Sequence, residues 1–242
     1  MKVVAIIQAR MGSSRLPGKV MEDLGGESML GRVVRRVGRV RKLDRVIVAT
    51  SDRADDDVIA RLCLSRGWGC FRGDEVDVLD RYYRAAREEQ ADVVVRITAD
   101  CPLIDPAIID WVVQKFVAAF PEVDYLSNIF PKRMFPRGLD TEVLSFKALE
   151  KSWRRCTDPA EREHVTLYIR HNPALFKIDE VTSERDYSSF RWTVDTPEDL
   201  EFARQVYAHF SDDDFSWEEA LAAVMAHPEW QEINREVKQK II

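Results

Sequence analysis

VVAIIQARMGSSRLPGK, the stretch at residues 3–19, opens with five apolar residues and continues into a loop with three cations. The apolar run at residues 3–7 is typical of a strand buried on both faces of a parallel sheet. Glycine, serine and proline follow it and predict a loop rather than a helix. The loop cations, Arg10, Arg15 and Lys19, therefore come directly after the first predicted strand.

Strand-like and helix-like segments alternate through the first half of the chain. The patterns predict strands at residues 3–7, 45–50, 68–71 and 92–98, and helices at 28–40, 54–65, 78–89 and 106–120. This alternation predicts an α/β fold of three Rossmann-like layers with a mostly parallel mixed sheet. Such sheets bind ligands beyond the carboxyl ends of their strands, so chemistry is expected in the loops after Ile7, Thr50 and Thr98.

The pattern changes after residue 124. It predicts a loop at 128–138, strands at 141–146, 175–181 and 190–195, and helices at 159–170, 197–210 and 217–226. The strand at 190–195 is expected to return to the main sheet. We therefore predict a single domain over residues 1–242, with a core at 1–124 and 186–242 and a small β-containing arm at about 125–185.

The composition limits the class of protein. The chain has 242 residues, is 45% hydrophobic and 32% charged, and carries a net charge of −6. It contains no segment of the roughly 20 apolar residues that a membrane span needs, no signal-peptide pattern and no C-x-x-C spacing among its four cysteines. We expect a cytoplasmic protein with no membrane partner, and the negative charge disfavours a nucleic-acid partner.

Two familiar phosphate motifs do not describe the opening loop. A Walker loop has the spacing G-x-x-x-x-G-K-[ST], but here Gly12 and Gly18 are one residue too far apart and Val20 follows Lys19. Pro17 also removes a backbone N–H from the loop. The dinucleotide spacing G-x-G-x-x-G is absent.

A third interpretation is a phosphate site made by side chains. Arg10, Arg15 and Lys19 can converge on a triphosphate, because arginine offers a planar fork and lysine a mobile point charge. Gly12, Ser13 and Ser14 would let the loop approach its ligand closely. A solvated basic turn is the alternative.

Two aspartates far apart in the sequence are candidate metal ligands. Asp100 follows the strand at residues 92–98, and Asp195 ends the predicted strand FRWTVD. Magnesium prefers hard oxygen ligands and often takes one or two carboxylates, with water and phosphate completing the shell. Both aspartates also have structural alternatives, Asp100 as a turn residue and Asp195 as part of a helix start.

The sequence R-x-x-S-S-R-L-P-G-K at residues 10–19 resembles the signature loop of the cytidylyltransferases that make CMP-Kdo and CMP-sialic acid. The chain as a whole most resembles the spore-coat polysaccharide biosynthesis protein F branch, from residue 1 to about 210. The resemblance implies a nucleotidyltransferase fold, a homodimer, and Mg²⁺-dependent transfer of CMP from CTP to a sugar or sugar acid. Pyrophosphate would leave, and the pathway would be cell-surface polysaccharide synthesis.

The resemblance also implies roles for individual residues. The catalytic set is Arg10, Arg15, Lys19, Asp100 and Asp195, with Asp100 and Asp195 holding Mg²⁺. The nucleotide-binding set is Ala9, Arg10, Gly12, Ser13, Ser14, Arg15, Lys19, Thr50, Ser51, Asp52, Arg81 and Asp100. Thr50, Ser51 and Asp52 are included because their polar groups end the second predicted strand, and a cap for the helix that begins near residue 54 is the alternative. The acceptor-binding set is Arg137, Asp140, Glu142, Arg162 and His164. The family's usual Gln-Gly and Glu are replaced here by Thr98-Ala99 and Cys101, which leaves the base contact and the acceptor open.

Two other functions remain open from the sequence. A metal-dependent glycosyltransferase that uses a nucleotide sugar would share the α/β fold, but it usually carries a D-x-D pair, which Asp100 does not form. A nucleotide-binding module without catalysis is the third class, and the presence of both aspartates with the full set of loop cations disfavours it.

Overall fold

The computed structural model describes residues 1–239, and within them seven strands form one sheet in the order β3-β2-β1-β4-β6-β5-β7. The strands are β1 Val3–Gln8, β2 Arg45–Ser51, β3 Gly69–Gly73, β4 Val93–Thr98, β5 Tyr125–Ser127, β6 Glu142–Ser145 and β7 Ile178–Glu180. Strand β6 runs antiparallel to both of its neighbours, and every other pairing is parallel. The predicted mostly parallel mixed sheet is confirmed.

Helices cover both faces of this sheet. They are α1 Met29–Val37, α2 Asp57–Arg66, α3 Val78–Glu88, α4 Pro106–Ala119, α5 Phe146–Arg155, α6 Pro159–Glu163, α7 Leu167–His171, α8 Pro197–His209, α9 Trp217–Ala226 and α10 Pro228–Ile233. Alternate residues of β1 face opposite sides, with Ala5 and Ile7 packed in one core cluster and Val4 and Ile6 in the other. The three predicted layers are thereby confirmed. Over residues 1–239, every helix is too short or too polar to cross a membrane.

Residues 190–195 are not a strand of the sheet, so that prediction was wrong. Trp192 donates its backbone N–H to the carbonyl of Arg137 at 2.7 Å, and Val194 donates to the carbonyl of Asp100 at 2.8 Å. Strand β4 is already flanked by β1 and β6, so it has no free edge for another strand. The segment instead hydrogen-bonds to the two loops that contain Arg137 and Asp100, and this places Asp195 close to Asp100.

The predicted arm at residues 125–185 supplies three strands, but all of them extend the main sheet as β6, β5 and β7. The β content expected of the arm is present, and its strands continue the main sheet. The helix predicted at 159–170 is divided into α6 and α7 by Val165, whose φ of 53° lies in the left-handed region. The short elements β5 and α10 were not predicted, because three to six residues carry little periodicity.

The chain order reverses between β1 and β4. The chain runs outward from β1 through β2 to β3 and then crosses back to β4 on the other side of β1. Gln8, the last residue of β1, is paired in register with Thr98, the last residue of β4. The loops after these two residues therefore start side by side, at the position where α/β sheets bind ligands.

Candidate active site

The loop after β1 is held by its own backbone and by a buried aspartate. The carbonyl of Met11 accepts from the backbone N–H groups of Ser13 and Gly18, both at 2.9 Å, and Gly18 has a left-handed φ of 74°. The N–H of Met11 donates to Asp56 Oδ1 at 2.7 Å. Asp56 is buried, and its Oδ2 accepts from both the backbone N–H and the hydroxyl of Ser51. Asp56 thus ties the loop to the end of β2.

Lys19 lies between the two predicted metal ligands. Its ammonium Nζ donates to Asp100 Oδ2 at 2.9 Å, to Asp195 Oδ1 at 2.8 Å and to the carbonyl of Val194 at 2.7 Å. Burial opposes the charge of Lys19, which is 8% exposed, but the two carboxylates outweigh it and raise the pKa of Lys19. The same contact outweighs burial at Asp100 and lowers the pKa of that carboxyl.

Two arginines hold the other oxygen of Asp195. Its Oδ2 forms an ion pair with Arg15 at 2.8 Å and accepts a hydrogen bond from Arg191 at 3.0 Å. Arg191 also binds Asp199, which is fully buried and accepts from the backbone N–H groups at the start of α8. Asp195 is therefore fixed by the helix start that follows it. Neither Arg191 nor Asp199 was predicted as a site residue. Both lie four positions from Asp195 in the sequence, a spacing that could have indicated a contact.

The three loop cations do not converge on one point. Arg15 and Lys19 both bind Asp195, whereas Arg10 faces Glu163 at 3.4 Å, on the side where α6 ends. Of the other loop residues predicted to bind nucleotide, Ala9 is buried and donates its N–H to the carbonyl of Ala49 at 3.2 Å. Gly12 and Ser14 are exposed, and Ser13 is half-buried.

The residues at the end of β2 differ in exposure. Thr50 and Ser51 are fully buried, and Ser51 is committed to Asp56. Asp52 is exposed and donates its backbone N–H to the carbonyl of Gly73 at 2.9 Å. Of these three residues, only Asp52 presents its side chain to solvent.

Arg81 is a buried arginine whose guanidinium is only partly bonded. One terminal nitrogen donates to the carbonyl of Asp74 at 2.6 Å, while Nε and the other terminal nitrogen have no partner within residues 1–239. Burial lowers the pKa of Arg81. Gln8 Oε1, at the end of β1, and Thr50 Oγ1, near the end of β2, are also buried without a partner within residues 1–239. Because an unpaired buried polar group costs about 1–3 kcal/mol, the free N–H groups of Arg81 suit a polar ligand.

Arg137 is the acceptor-side candidate with an unused charge. Its neighbours are already neutralised, since Arg133 binds Asp140 at 2.7 Å and Arg191 binds Asp195 and Asp199. Within residues 1–239 the guanidinium of Arg137 makes no hydrogen bond or ion pair, and burial together with Arg133 lowers its pKa. Arg137 can therefore bind an anion, whereas Asp140 positions Arg133 and the loop N–H of Gly138.

Glu142 and Arg162 were expected to contact the acceptor, but both already bind partners within the protein. Glu142 is 2% exposed and binds Arg96, with further hydrogen bonds from Tyr125 at 2.6 Å and Thr166 at 2.5 Å. Arg162 binds Asp77 at 2.7 Å and two backbone carbonyls. We correct the assignment of Glu142 to a structural one, because it is buried among its partners. Arg162 is half-buried, and its guanidinium is already paired with Asp77.

His164 keeps a free imidazole within the described chain. It lies between Glu163, the partner of Arg10, and the strained Val165. Burial lowers the pKa of His164 from its ordinary value of 6.5, so the ring is neutral at pH 7. A neutral imidazole can accept or donate a hydrogen bond, which suits contact with a hydroxyl group.

The donor set fits one divalent cation with two protein ligands. Asp100 and Asp195 present oxygens to one point, and hard carboxylate oxygens are the ligands that Mg²⁺ takes beside water and phosphate. Asp100 is also half-buried, and its Oδ1 accepts from the thiol of Cys101 at 3.6 Å. No group of three or more His, Cys, Asp or Glu side chains suited to a metal occurs among residues 1–239, so other ligands would come from substrate and water.

The site combines a cationic loop with two carboxylates. It lies where the strand order of the sheet reverses, and helices cover both faces of that sheet. These features define an α/β nucleotidyltransferase. The family model for cytidylyltransferases matches residues 4–227, and the chain belongs to this family. The family expected from the opening loop is thereby confirmed.

Three relatives show how far the similarity extends. The spore coat polysaccharide biosynthesis protein SpsF of Bacillus subtilis is 34% identical over 85% of this chain and 86% of its own. A cytidylyltransferase structure from Leptospira borgpetersenii is 36% identical, covers 100% of this chain and 99% of its own, and has a TM-score of 0.92. A CMP:2-keto-3-deoxy-manno-octonic acid synthetase complexed with CTP shares the fold, with a TM-score of 0.65 and 22% identity over 86% of this chain and 99% of its own.

Proposed function

We propose that this cytidylyltransferase uses Mg²⁺ and transfers CMP from CTP to a sugar or sugar-acid hydroxyl in cell-surface polysaccharide synthesis. The observation that carries the proposal is the contact of one cation, Lys19 Nζ, with both Asp100 and Asp195 at the carboxyl edge of the sheet. Two carboxylates and the cations Arg15 and Lys19 at one point are what a metal-bound triphosphate requires.

The proposed reaction is an in-line displacement at the α-phosphorus of CTP. The acceptor hydroxyl gives up its proton to water as its oxygen forms the new bond to phosphorus, the bond from that phosphorus to the bridging oxygen breaks, and pyrophosphate leaves with the electron pair. Bound Mg²⁺ would supply Lewis-acid stabilisation of the phosphate charge. Arg15 and Lys19, which both bind Asp195, offset the charge of the β- and γ-phosphates, and Arg10 would join them by leaving Glu163. Asp100 and Asp195 would hold the metal.

The acceptor is proposed to carry an anionic group. Arg137 supports this, because it is the half-buried charge of its loop that has no partner within residues 1–239. His164, which is neutral at pH 7, is proposed to contact an acceptor hydroxyl. Arg81 and its unpaired N–H groups are proposed to face the cytosine.

One assay tests the function. The protein is incubated with Mg²⁺, a panel of sugar acids and either CTP, UTP or a nucleotide sugar, and pyrophosphate and transfer products are measured. CTP-dependent pyrophosphate is the expected result, with Asp100→Asn and Asp195→Asn losing most turnover and the exposed Asp55→Asn keeping it. Transfer from the nucleotide sugar would indicate the glycosyltransferase, and binding without turnover a non-catalytic module.

A cytoplasmic location and a homodimer are proposed as well. The four cysteines, Cys63, Cys70, Cys101 and Cys156, are free thiols, which supports a reducing compartment. The homodimer rests on the family resemblance, and light scattering of the purified protein tests it.

A further inference from the structure

Lys19 takes up a position that the proposed metal would also need. An ammonium group has three N–H donors, and Lys19 Nζ has three acceptors at 2.7–2.9 Å. Two of these acceptors are the carboxylate oxygens that face each other across the site. The side chain is 10% exposed, so water has little access to these donors.

The carboxylate pair is already neutralised in this arrangement. Asp195 Oδ1 binds Lys19, while its Oδ2 binds Arg15 and Arg191. Asp100 Oδ2 also binds Lys19. A divalent cation that binds both aspartates must therefore displace Lys19. The positive charges of Lys19, Arg15 and Arg191 repel such a cation.

We propose that Lys19 is an internal counter-ion that occupies the space between Asp100 and Asp195 and excludes a divalent cation until a triphosphate draws the ammonium away. A nucleoside triphosphate carries enough negative charge to attract both Lys19 and Arg15, whose guanidinium is half-exposed. Metal and nucleotide would then enter together rather than metal first. The proposal rests on the proposed function in taking the two aspartates as metal ligands.

Mn²⁺ titration of nucleotide-free protein, followed by electron paramagnetic resonance of free Mn²⁺, tests this. Lys19→Met keeps the length of the side chain and removes its charge. It should bind Mn²⁺ roughly tenfold more tightly than wild type or better, because a unit charge about 4 Å from an ion is a large Coulomb term. Lys147→Met, at an exposed lysine of α5, is the matched control and should bind as wild type does. Adding Asp100→Asn to Lys19→Met should abolish the gain.

Two results would overturn the proposal: Mn²⁺ binding by Lys19→Met no tighter than wild type, or a gain that survives Asp100→Asn. If Lys19→Met does not fold, wild type and Asp100→Asn are compared. Without nucleotide the two proteins should bind Mn²⁺ alike. With a CTP analogue whose α–β bridge is a methylene group, only wild type should bind an Mn²⁺ ion at the two aspartates. An Asp100-dependent Mn²⁺ site in nucleotide-free wild type would contradict the idea.

The nucleotide-free titrations contain neither CTP nor acceptor. If the enzyme uses a base other than cytosine or a different kind of acceptor, the proposed function is wrong, but the result of the Mn²⁺ titration is unaffected. Unchanged Mn²⁺ binding in Lys19→Met would defeat the counter-ion role and leave cytidylyl transfer intact.

Discussion

Asp56 Oδ1 accepts a hydrogen bond of 2.7 Å from the backbone N–H of Met11, so a residue before α2 fixes the loop that follows β1. The other oxygen of Asp56 binds Ser51 at the end of β2. Two neighbouring strand ends are thereby connected through one buried carboxylate.

Asp56→Ala should weaken nucleotide binding and stability together. Met11 and Ser51 would each lose their acceptor, which predicts a loss of about 1–3 kcal/mol in the free energy of unfolding. The KM for CTP should rise, because the loop is no longer held. Urea unfolding and steady-state kinetics measure the two effects, with the exposed neighbour Asp55→Ala as control. An unchanged KM in a destabilised variant would show that the loop does not depend on Asp56.

Arg81→Met should raise the KM for CTP by roughly 10- to 100-fold, the effect of losing charged hydrogen bonds worth about 1.5–3 kcal/mol. The unpaired N–H groups of Arg81 are the physical reason. Arg84→Met changes an exposed arginine on the same helix and should have little effect. Equal kinetics for the two variants would remove Arg81 from the nucleotide site.

Arg137→Met should raise the KM for the acceptor and leave the KM for CTP unchanged, because the unpaired guanidinium is proposed to bind the acceptor's anionic group. Lys132→Met, at an exposed cation of the same loop, is the control. Kinetics with each substrate varied in turn separate the two constants. A rise confined to CTP would place Arg137 on the triphosphate instead.

Glu142→Gln should lower the free energy of unfolding by about 3–5 kcal/mol at pH 7, because it leaves Arg96 buried without a charged partner. Burial opposes the charge of Glu142, but Arg96 outweighs it and lowers the pKa from 4.5. The stabilisation is therefore complete above pH 4.5 and lost as the pH falls through the lowered pKa. Unfolding at pH 7, 4 and 3 should show the gap to wild type closing with acid. Glu184→Gln, at an exposed carboxylate, should show no such gap.

The elements that the sequence predicted well are those with strong local patterns. The apolar runs of β1, β2 and β4 and the helix start at Thr196-Pro197, where a capping box forms, needed only neighbouring residues. The strand expected at residues 190–195 had the right composition but no free edge beside β4. Glu142 and Arg162 had the residue types of a binding site, yet both found partners inside the protein.

The sequence by itself determined the α/β alternation, the cationic loop and the two candidate aspartates, because each is encoded within a few consecutive residues. Only the tertiary structure decided that Lys19 meets Asp100, 81 positions away, and Asp195, 176 positions away. It also decided which charges remain unpaired. The physical reason is that strand order and burial bring these groups together, and neither can be read from local spacing.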